Sequence, residues 1–336
     1  MTTYLIKRIL LAAMTLLVIL FTSYALLRLA PGDPTRSSLL GDNAGTAVDA
    51  SKGGLLTNTA LREKLDLDKP LLEGFCRWLE KVILHGDFGV SATVDPGKPV
   101  VQLIGERLPV TLTLNFWAVL LTYLLAIPIG IWSACNVNCL MDKISGLGLF
   151  ALYSLPVMWV GLMLQALLCE GGKLPLFPLH GLEVNTPDAY SIWRLQLEIA
   201  KHYALPVLCL SYGGIAGLSR YARSSMLEVI NSDFIRTARA KGLPESSVIW
   251  GHGFRNALIT LITLFGGLLP GLVAGSVIVE YIFNIPGMGS LSLLALSSRD
   301  YPLQMALFAF SGALTLLGIL LSDILYGIAD PRIKLQ

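Results

Sequence analysis

The sequence predicts an all-α integral membrane protein with about six transmembrane helices. Three observations carry that prediction. Of 336 residues, 54% are hydrophobic and 14% charged, against roughly 25% charged in soluble domains. The charges cluster between long runs that hold none. Six of those runs are long enough to cross a hydrocarbon core, which takes roughly 20 residues at 1.5 Å of rise each. They cover 9–27, 108–134, 146–169, 203–219, 257–279 and 302–322, without an Asp, Glu, Lys or Arg. A helix suits each run, because an isolated strand in lipid leaves backbone groups unpaired. The net charge of +2 is dispersed, with no basic run interleaved with aromatics, so the sequence offers no nucleic-acid surface.

The first run follows Lys7 and Arg8, as the core of a signal peptide would. Its 19 residues exceed the usual 7–15, no small-x-small site follows, and Ala30-Pro31-Gly32-Asp33-Pro34 reads as a stop at the membrane surface. An uncleaved first span is expected. Residues 1–30 are then a cytosolic tail and first span, 31–107 an extracytoplasmic segment, and 108–336 a core with five spans. Within 31–107, Asp42–Asn58 is Gly/Ala/Thr-rich loop. Residues 59–84 carry a helical pattern through Leu61, Leu65, Leu72, Phe75, Trp78, Leu79 and Val82 around a Pro70 break, fitting a small exterior cap.

The second outer loop, 171–202, ends in a short surface helix at Trp193–Ala200. The fourth run continues its apolar pattern through Tyr221 towards Met226. Pro128, Pro156 and Pro270 sit inside spans, where each removes a backbone bond and permits a kink. Gly267, Gly271 and Gly275, and separately Gly213 and Gly217, repeat at four-residue spacing and suit close helix contact. The five cysteines (Cys76, Cys135, Cys139, Cys169, Cys209) form no C-x-x-C pair and read as apolar packing. With the N-terminus inside, the short cytosolic segments hold 11 Lys and Arg against four in the short outer ones. That asymmetry places both termini in the cytosol.

The cytosolic loop of about 221–256 is not a plain connector. An amphipathic helix starts at Ser224 and continues through Asp233 to Lys241, with Met226, Leu227, Ile230, Phe234, Ile235 and Ala238 on one stripe. Gly242 terminates it, and Arg239 and Lys241 sit at the end where the helix dipole favours cations. Pro244 opens a second short helix through Trp250. Such an elbow can lie on a lipid surface or dock into a groove on a cytosolic partner.

Residues Glu228 to Gly242, followed by Val248, His252 and Arg255-Asn256-Ala257, resemble the coupling-loop signature of ATP-binding-cassette importer permeases. More narrowly they resemble the dipeptide/oligopeptide/nickel permease family. The resemblance extends along the chain: Arg28-Leu-Ala-Pro-Gly-Asp-Pro34, Gly86-Asp-Phe-Gly-Val-Ser91, Gly105-Glu-Arg-Leu-Pro-Val-Thr-Leu-Thr-Leu114, Phe283-Asn-Ile-Pro-Gly-Met-Gly289 and Asp330-Pro-Arg332. The long first outer segment is similar to that of the first of the two paired permeases. Pro244 departs from the family, which more often has a polar residue there, and Gly251 and Gly253 loosen the second helix.

The resemblance implies an importer permease fold with a cytosolic coupling helix, in a bacterial inner membrane. It implies a second homologous permease, two cytosolic ATP-binding-cassette ATPases and an extracytoplasmic solute-binding protein as partners. No G-x-x-x-x-G-K-[ST] loop occurs in this chain, so ATP and Mg are expected on the ATPases, with no cofactor and no catalysis here. Arg236, Thr237, Ala238, Arg239, Ala240, Lys241 and Gly242 form the implied docking segment. Ala238 and Ala240 permit close packing and Gly242 the turn. Arg239 and Lys241 either meet ATPase acids or form a solvated basic face, while Glu228 and Asp233 stabilise the loop locally.

The substrate implied is a peptide, with nickel or another small solute as the alternative. Its path must use uncharged polar groups such as Asn115, Thr122, Tyr123, Gln165, Tyr212, Ser276 and Gln304, each equally suited to a helix–helix hydrogen bond. Glu280, at the outer end of the fifth span, is the charged candidate. An ion-coupled secondary transporter would keep ionisable residues near the membrane centre, and this chain keeps them out. A membrane enzyme needs a convergent constellation; four scattered His residues, with no H-E-x-x-H or G-x-S-x-G, supply none.

Overall fold

A computed structural model describes residues 2–29, 69–182, 191–258, 261, 262, 264, 271 and 276–329. Helices account for all its named elements: α1 (Thr2–Leu29), α2 (Leu71–His85), α3 (Val100–Cys135), α4 (Leu140–Ser154), α5 (Val157–Leu168), α6 (Ile192–Ile230), α7 (Asp233–Ala240), a π-helical stretch Ser247–Gly253, α8 (Val277–Ile282), α9 (Met288–Ser298) and α10 (Tyr301–Ala329). The extended pairings are isolated bridges, Val90 with Pro99 and Cys169 with Phe177. Among the described residues, three helices are long and apolar enough to cross a membrane, or four if the bent pair α4 and α5 is one span. The chain forms two compact units, 1–109 with 290–317, and 110–289 with 318–336.

In the first unit α2 packs on α1. Phe75 is buried, with its ring 5.3 Å from Phe21 in a T-shaped pair and 5.7 Å from Tyr24. The helix starts after Pro70, whose ring fixes an extended entry, and stops at Gly86 in the left-handed region (φ +62°). The expected stripe is only partly the packed face: Leu72 is exposed, and Leu61 and Leu65 lie outside the described residues. The loop after α2 folds around one carboxylate. Asp300, wholly buried, precedes α10 and accepts from Ser91 Oγ at 2.5 Å. The same oxygen accepts from the N–H groups of Ala92, Thr93 and Val94 at 2.9, 3.0 and 3.2 Å. Its other oxygen accepts from the N–H of Leu303, capping α10.

The second unit corrects several sequence expectations. The third expected span is not one kinked helix but α4 and α5, bent by 99°. The break falls at Leu155–Pro156, because Pro156 has no N–H to give and its ring opposes a helical residue before it. The Leu155 carbonyl left free there accepts from Tyr212 Oη at 2.6 Å. The surface helix expected at 193–200, the fourth span and the first part of the 221–256 loop are a single 39-residue helix, α6. Pro206 lies inside it without ending it. The amphipathic helix expected from Ser224 to Lys241 is therefore two elements, parted at Asn231–Ser232.

Of the fifth expected span, 257–279, the residues described before Ser276 (257, 258, 261, 262, 264 and 271) are helical. Ser276 then turns extended (φ −116°, ψ 96°), so α8 is a separate helix and the expected end at 279 is wrong. Helix α9, whose 11 residues are too few to span, escaped the hydropathy reading. Gly267, Gly275 and Pro270 lie outside the described residues. The close helix approach falls elsewhere than at Gly213 and Gly217, which have open space beside them. A Cβ on Gly130 would stand 2.6 Å from Ala222 Cβ and from the Ser219 carbonyl, so α3 and α6 meet backbone to backbone there. Pro128 stays within the unbroken α3.

Candidate functional site

The C-terminal end of α6 builds the candidate module. At its last turn Ser232 folds back, donating from Oγ to the Val229 carbonyl at 2.6 Å. Its extended backbone then starts α7. Helix α7 is short and strongly two-faced. Ile235 (1% exposed) and Ala238 are buried with Val248, against Val229. Ala238 thus packs within the chain, and the residue left for close approach by another body is the exposed Ala240. Phe234 turns the other way and is 45% exposed, a departure from the expected apolar stripe. A break at Asn231–Ser232 resets the helical phase, so one stripe cannot run through both helices.

Gly242 ends the module at φ +78°, donating its N–H to the Arg239 carbonyl at 2.9 Å. Open space surrounds its missing side chain, so the requirement there is backbone conformation rather than room. Beyond the elbow, Ser247–Gly253 adopts π-helical turns rather than the expected short α-helix, and helix resumes at Phe254. Gly253 answers to packing: a Cβ there would stand 3.3 Å from Met226 Cε. Met226, fully buried, therefore ties α6 to this stretch.

The charges divide. Arg239 Nη2 is 2.6 Å from Glu245 Oε1, and its Nε donates to both carboxylate oxygens at 3.2 Å, clasping the two sides of the elbow. Arg239 thereby holds the Glu245 carboxyl below the usual carboxylate range. Its guanidinium is already engaged inside the loop. Asp233, in the first turn of α7, lies 3.5 Å from Arg236 with both side chains exposed, a weak pair by geometry. Thr237 Oγ1 donates back to the Asp233 carbonyl at 3.0 Å. Glu228, Ala240 and Lys241 are exposed. Arg236 to Gly242 thus present a solvent-facing surface on a base fixed from below.

The polar residues expected along a solute path are largely committed to holding helices. Gln165 donates from Nε2 to the carbonyls of Ile282 (2.8 Å) and Leu179 (3.3 Å). Tyr212 holds the α4–α5 break, and Ser276 accepts from the N–H of Val279 as the cap of α8. Thr122 bonds back to the Ala118 carbonyl at 2.7 Å. Asn115 is half-buried in α3. Glu280, 2% exposed, accepts from Thr111 Oγ1 at 3.1 Å, and Thr111 Oγ1 accepts in turn from the N–H of Met288 at 2.8 Å. A Cβ on Gly287 would stand 2.6 Å from the Glu280 carboxyl, so the 283–289 turn closes directly over it. In this conformation Glu280 is an internal pin.

Sequence reading also missed the buried carboxylate of Asp142, which meets Arg223 and Ser133. Those three residues lie on separate helices, and no local spacing connects them. The nearest signal was Cys139, whose Sγ accepts from the N–H of Asp142 at 3.2 Å and caps α4.

Comparison with known proteins now adds to this geometry. Residues 126–335 match the model of the binding-protein-dependent transport system inner membrane component family, and residues 1–115 match that of its N-terminal region. The chain is 38% identical to the oligopeptide transport system permease protein AppB of Bacillus subtilis, over 99% of this chain and 100% of that one. It is 31% identical to the inner membrane ABC transporter permease protein YejB of Escherichia coli O157:H7, over 100% of both chains. The peptidoglycan transport system permease protein YejB of Agrobacterium fabrum is also 31% identical, over 100% of this chain and 99% of that one.

Proposed function

The chain belongs to the family of binding-protein-dependent transport system inner membrane components, and from that membership we propose that it is one permease subunit of an ATP-driven peptide importer. The observation that carries this reading is similarity over 99% of the chain to an oligopeptide permease, with the α7–Gly242 handle intact within it. The chain is a multi-pass membrane protein. In this reading it has six spans, both termini in the cytosol, and the segment 31–107 outside as a small cap. It works beside a second homologous permease, above two ATPases that bind ATP and Mg, and below a solute-binding protein.

Import follows from the handle's construction. The exposed face of α7, from Arg236 to Lys241, sits in a cleft on one ATPase, and the Gly242 elbow keeps that face at a fixed angle. Ile235, Ala238 and Met226 bind the handle to α6. When the ATPases close, the handle moves as a rigid body and carries α6 with it. The permease pair then exposes its path to the other side. The free energy comes from the partners' differential affinity for two states, since a coupling element only transmits it.

The test is reconstitution of the purified complex in vesicles, with uptake of a labelled oligopeptide followed. Uptake is expected to need the solute-binding protein on one side and ATP on the ATPase side. Uptake at full rate by complexes stripped of their nucleotide-hydrolysing subunits would reject the reading.

A further inference from the structure

The cytosolic ends of three helices meet at Asp142. Ser133 on α3 donates from Oγ to Asp142 Oδ1. Arg223 on α6 donates from Nη2 to Asp142 Oδ2 at 3.0 Å and from Nε to Ser133 Oγ at 2.8 Å. The N–H of Asn138, in the turn before α4, completes the carboxylate's set at 3.1 Å. Asp142 is buried. A guanidinium reaches two acceptors on two helices at once because its donors form a rigid planar fork. One turn away, Gly130 brings α3 against the α6 backbone at Ala222 and Ser219.

The far end of α4 is tied to the same helix. Tyr212 holds the Leu155 carbonyl at 2.6 Å, and it stands 11 residues before Arg223 on α6, about 16 Å along the axis. Helix α4 is therefore fastened to α6 at both of its ends. Buried ion pairs contribute little net stability compared with apolar packing. What this one supplies is a fixed geometry, placed between the handle and the apolar helix pair α4–α5, which is bent by 99°.

We propose that Arg223, Asp142 and Ser133 are positioning residues that make α4 part of the lever, so that α7, α6 and α4 move as one rigid body and the Leu155–Pro156 break absorbs the motion. This rests on the coupling role given to α7 above. The break then acts as a hinge into α5, which Gln165 connects onward to the Ile282 carbonyl.

Pulsed EPR on the complete complex in lipid discs tests the brace, using spin labels in a background whose five cysteines are replaced. One label pair replaces exposed Leu147 on α4 and exposed Asn231 at the end of α6. The other replaces Leu147 and exposed Leu162 on α5. Between nucleotide-free and ATP-trapped states the Leu147–Asn231 distance is expected to stay fixed while the Leu147–Leu162 distance changes. Arg223→Lys is expected to broaden the first distance and lower solute imported per ATP hydrolysed about tenfold, with basal ATP hydrolysis retained. Exchanging the charges, Arg223→Asp with Asp142→Arg, should recover most of that loss. A Leu147–Asn231 distance that changes with nucleotide in a working transporter overturns the brace alone, as does unaltered import per ATP in Arg223→Lys. If neither distance responds to nucleotide while import proceeds, the coupling role of α7 falls and the brace falls with it.

Discussion

At Gly242 the backbone stands at φ +78° with open space around it, so any side chain there is opposed by its own backbone and not by neighbours. A left-handed residue with a Cβ costs roughly 1–2 kcal/mol, and a β-branched one more. Gly242→Val is therefore expected to leave the subunit in the membrane while abolishing solute-stimulated ATP hydrolysis in the assembled complex, measured against basal hydrolysis. Arg239 and Glu245 clasp the same elbow. Because Arg239 lowers the Glu245 carboxyl, the clasp is present above the ordinary carboxylate range and is lost as pH falls through the lowered value. Proteolytic nicking of the 239–245 loop should rise on acidification through that range, and Glu245→Gln should abolish the pH dependence. The αL glycine was legible in sequence because it follows an amphipathic run. The Arg239–Glu245 clasp was not, since a basic residue in a last turn suits solvent, a partner or an acid across the turn equally well.

Among elements, the apolar runs at 9–27, 108–134 and 302–322 matched α1, α3 and α10 to within their extended ends, because a long uncharged run has one solution in lipid. The errors came where hydropathy is blind to backbone. Pro156 looked like Pro128, yet one breaks its helix and the other does not. At the break Leu155 is extended, and its carbonyl accepts from Tyr212, 57 residues away in the chain and invisible to local hydropathy. Helix α6 crosses from an amphipathic stretch to an apolar one and back without a Gly or Pro signal strong enough to end it.

The 86–99 loop depends on Asp300, whose buried carboxylate gathers Ser91 and three consecutive N–H groups. Asp300→Ala would leave those donors unsatisfied, at about 1–3 kcal/mol each before relaxation. Hydrogen exchange at residues 91–94 should then accelerate by at least tenfold, with Asp300→Asn intermediate.

For the whole molecule, composition and loop charge gave the membrane class and an expected orientation, and motif order along the chain pointed to the family that the comparisons established. The buried polar clusters are made of residues that only folding brings together. Glu280, Thr111 and Gly287 close one turn, while Asp142, Arg223 and Ser133 join three helices. The polar residues nominated for the path turned out to be bonded to helices, because in a chain of uncharged spans the same groups serve packing first. The central claim is that the Gly242-ended handle lies in the cytosol and is gripped by a separate nucleotide-hydrolysing protein. A photo-crosslinking residue at exposed Ala240, activated in membranes carrying the whole complex, tests it most directly. It should join this chain to the ATPase subunit, with a yield that changes when ATP is trapped. Adducts to lipid or to the solute-binding protein alone would contradict the claim.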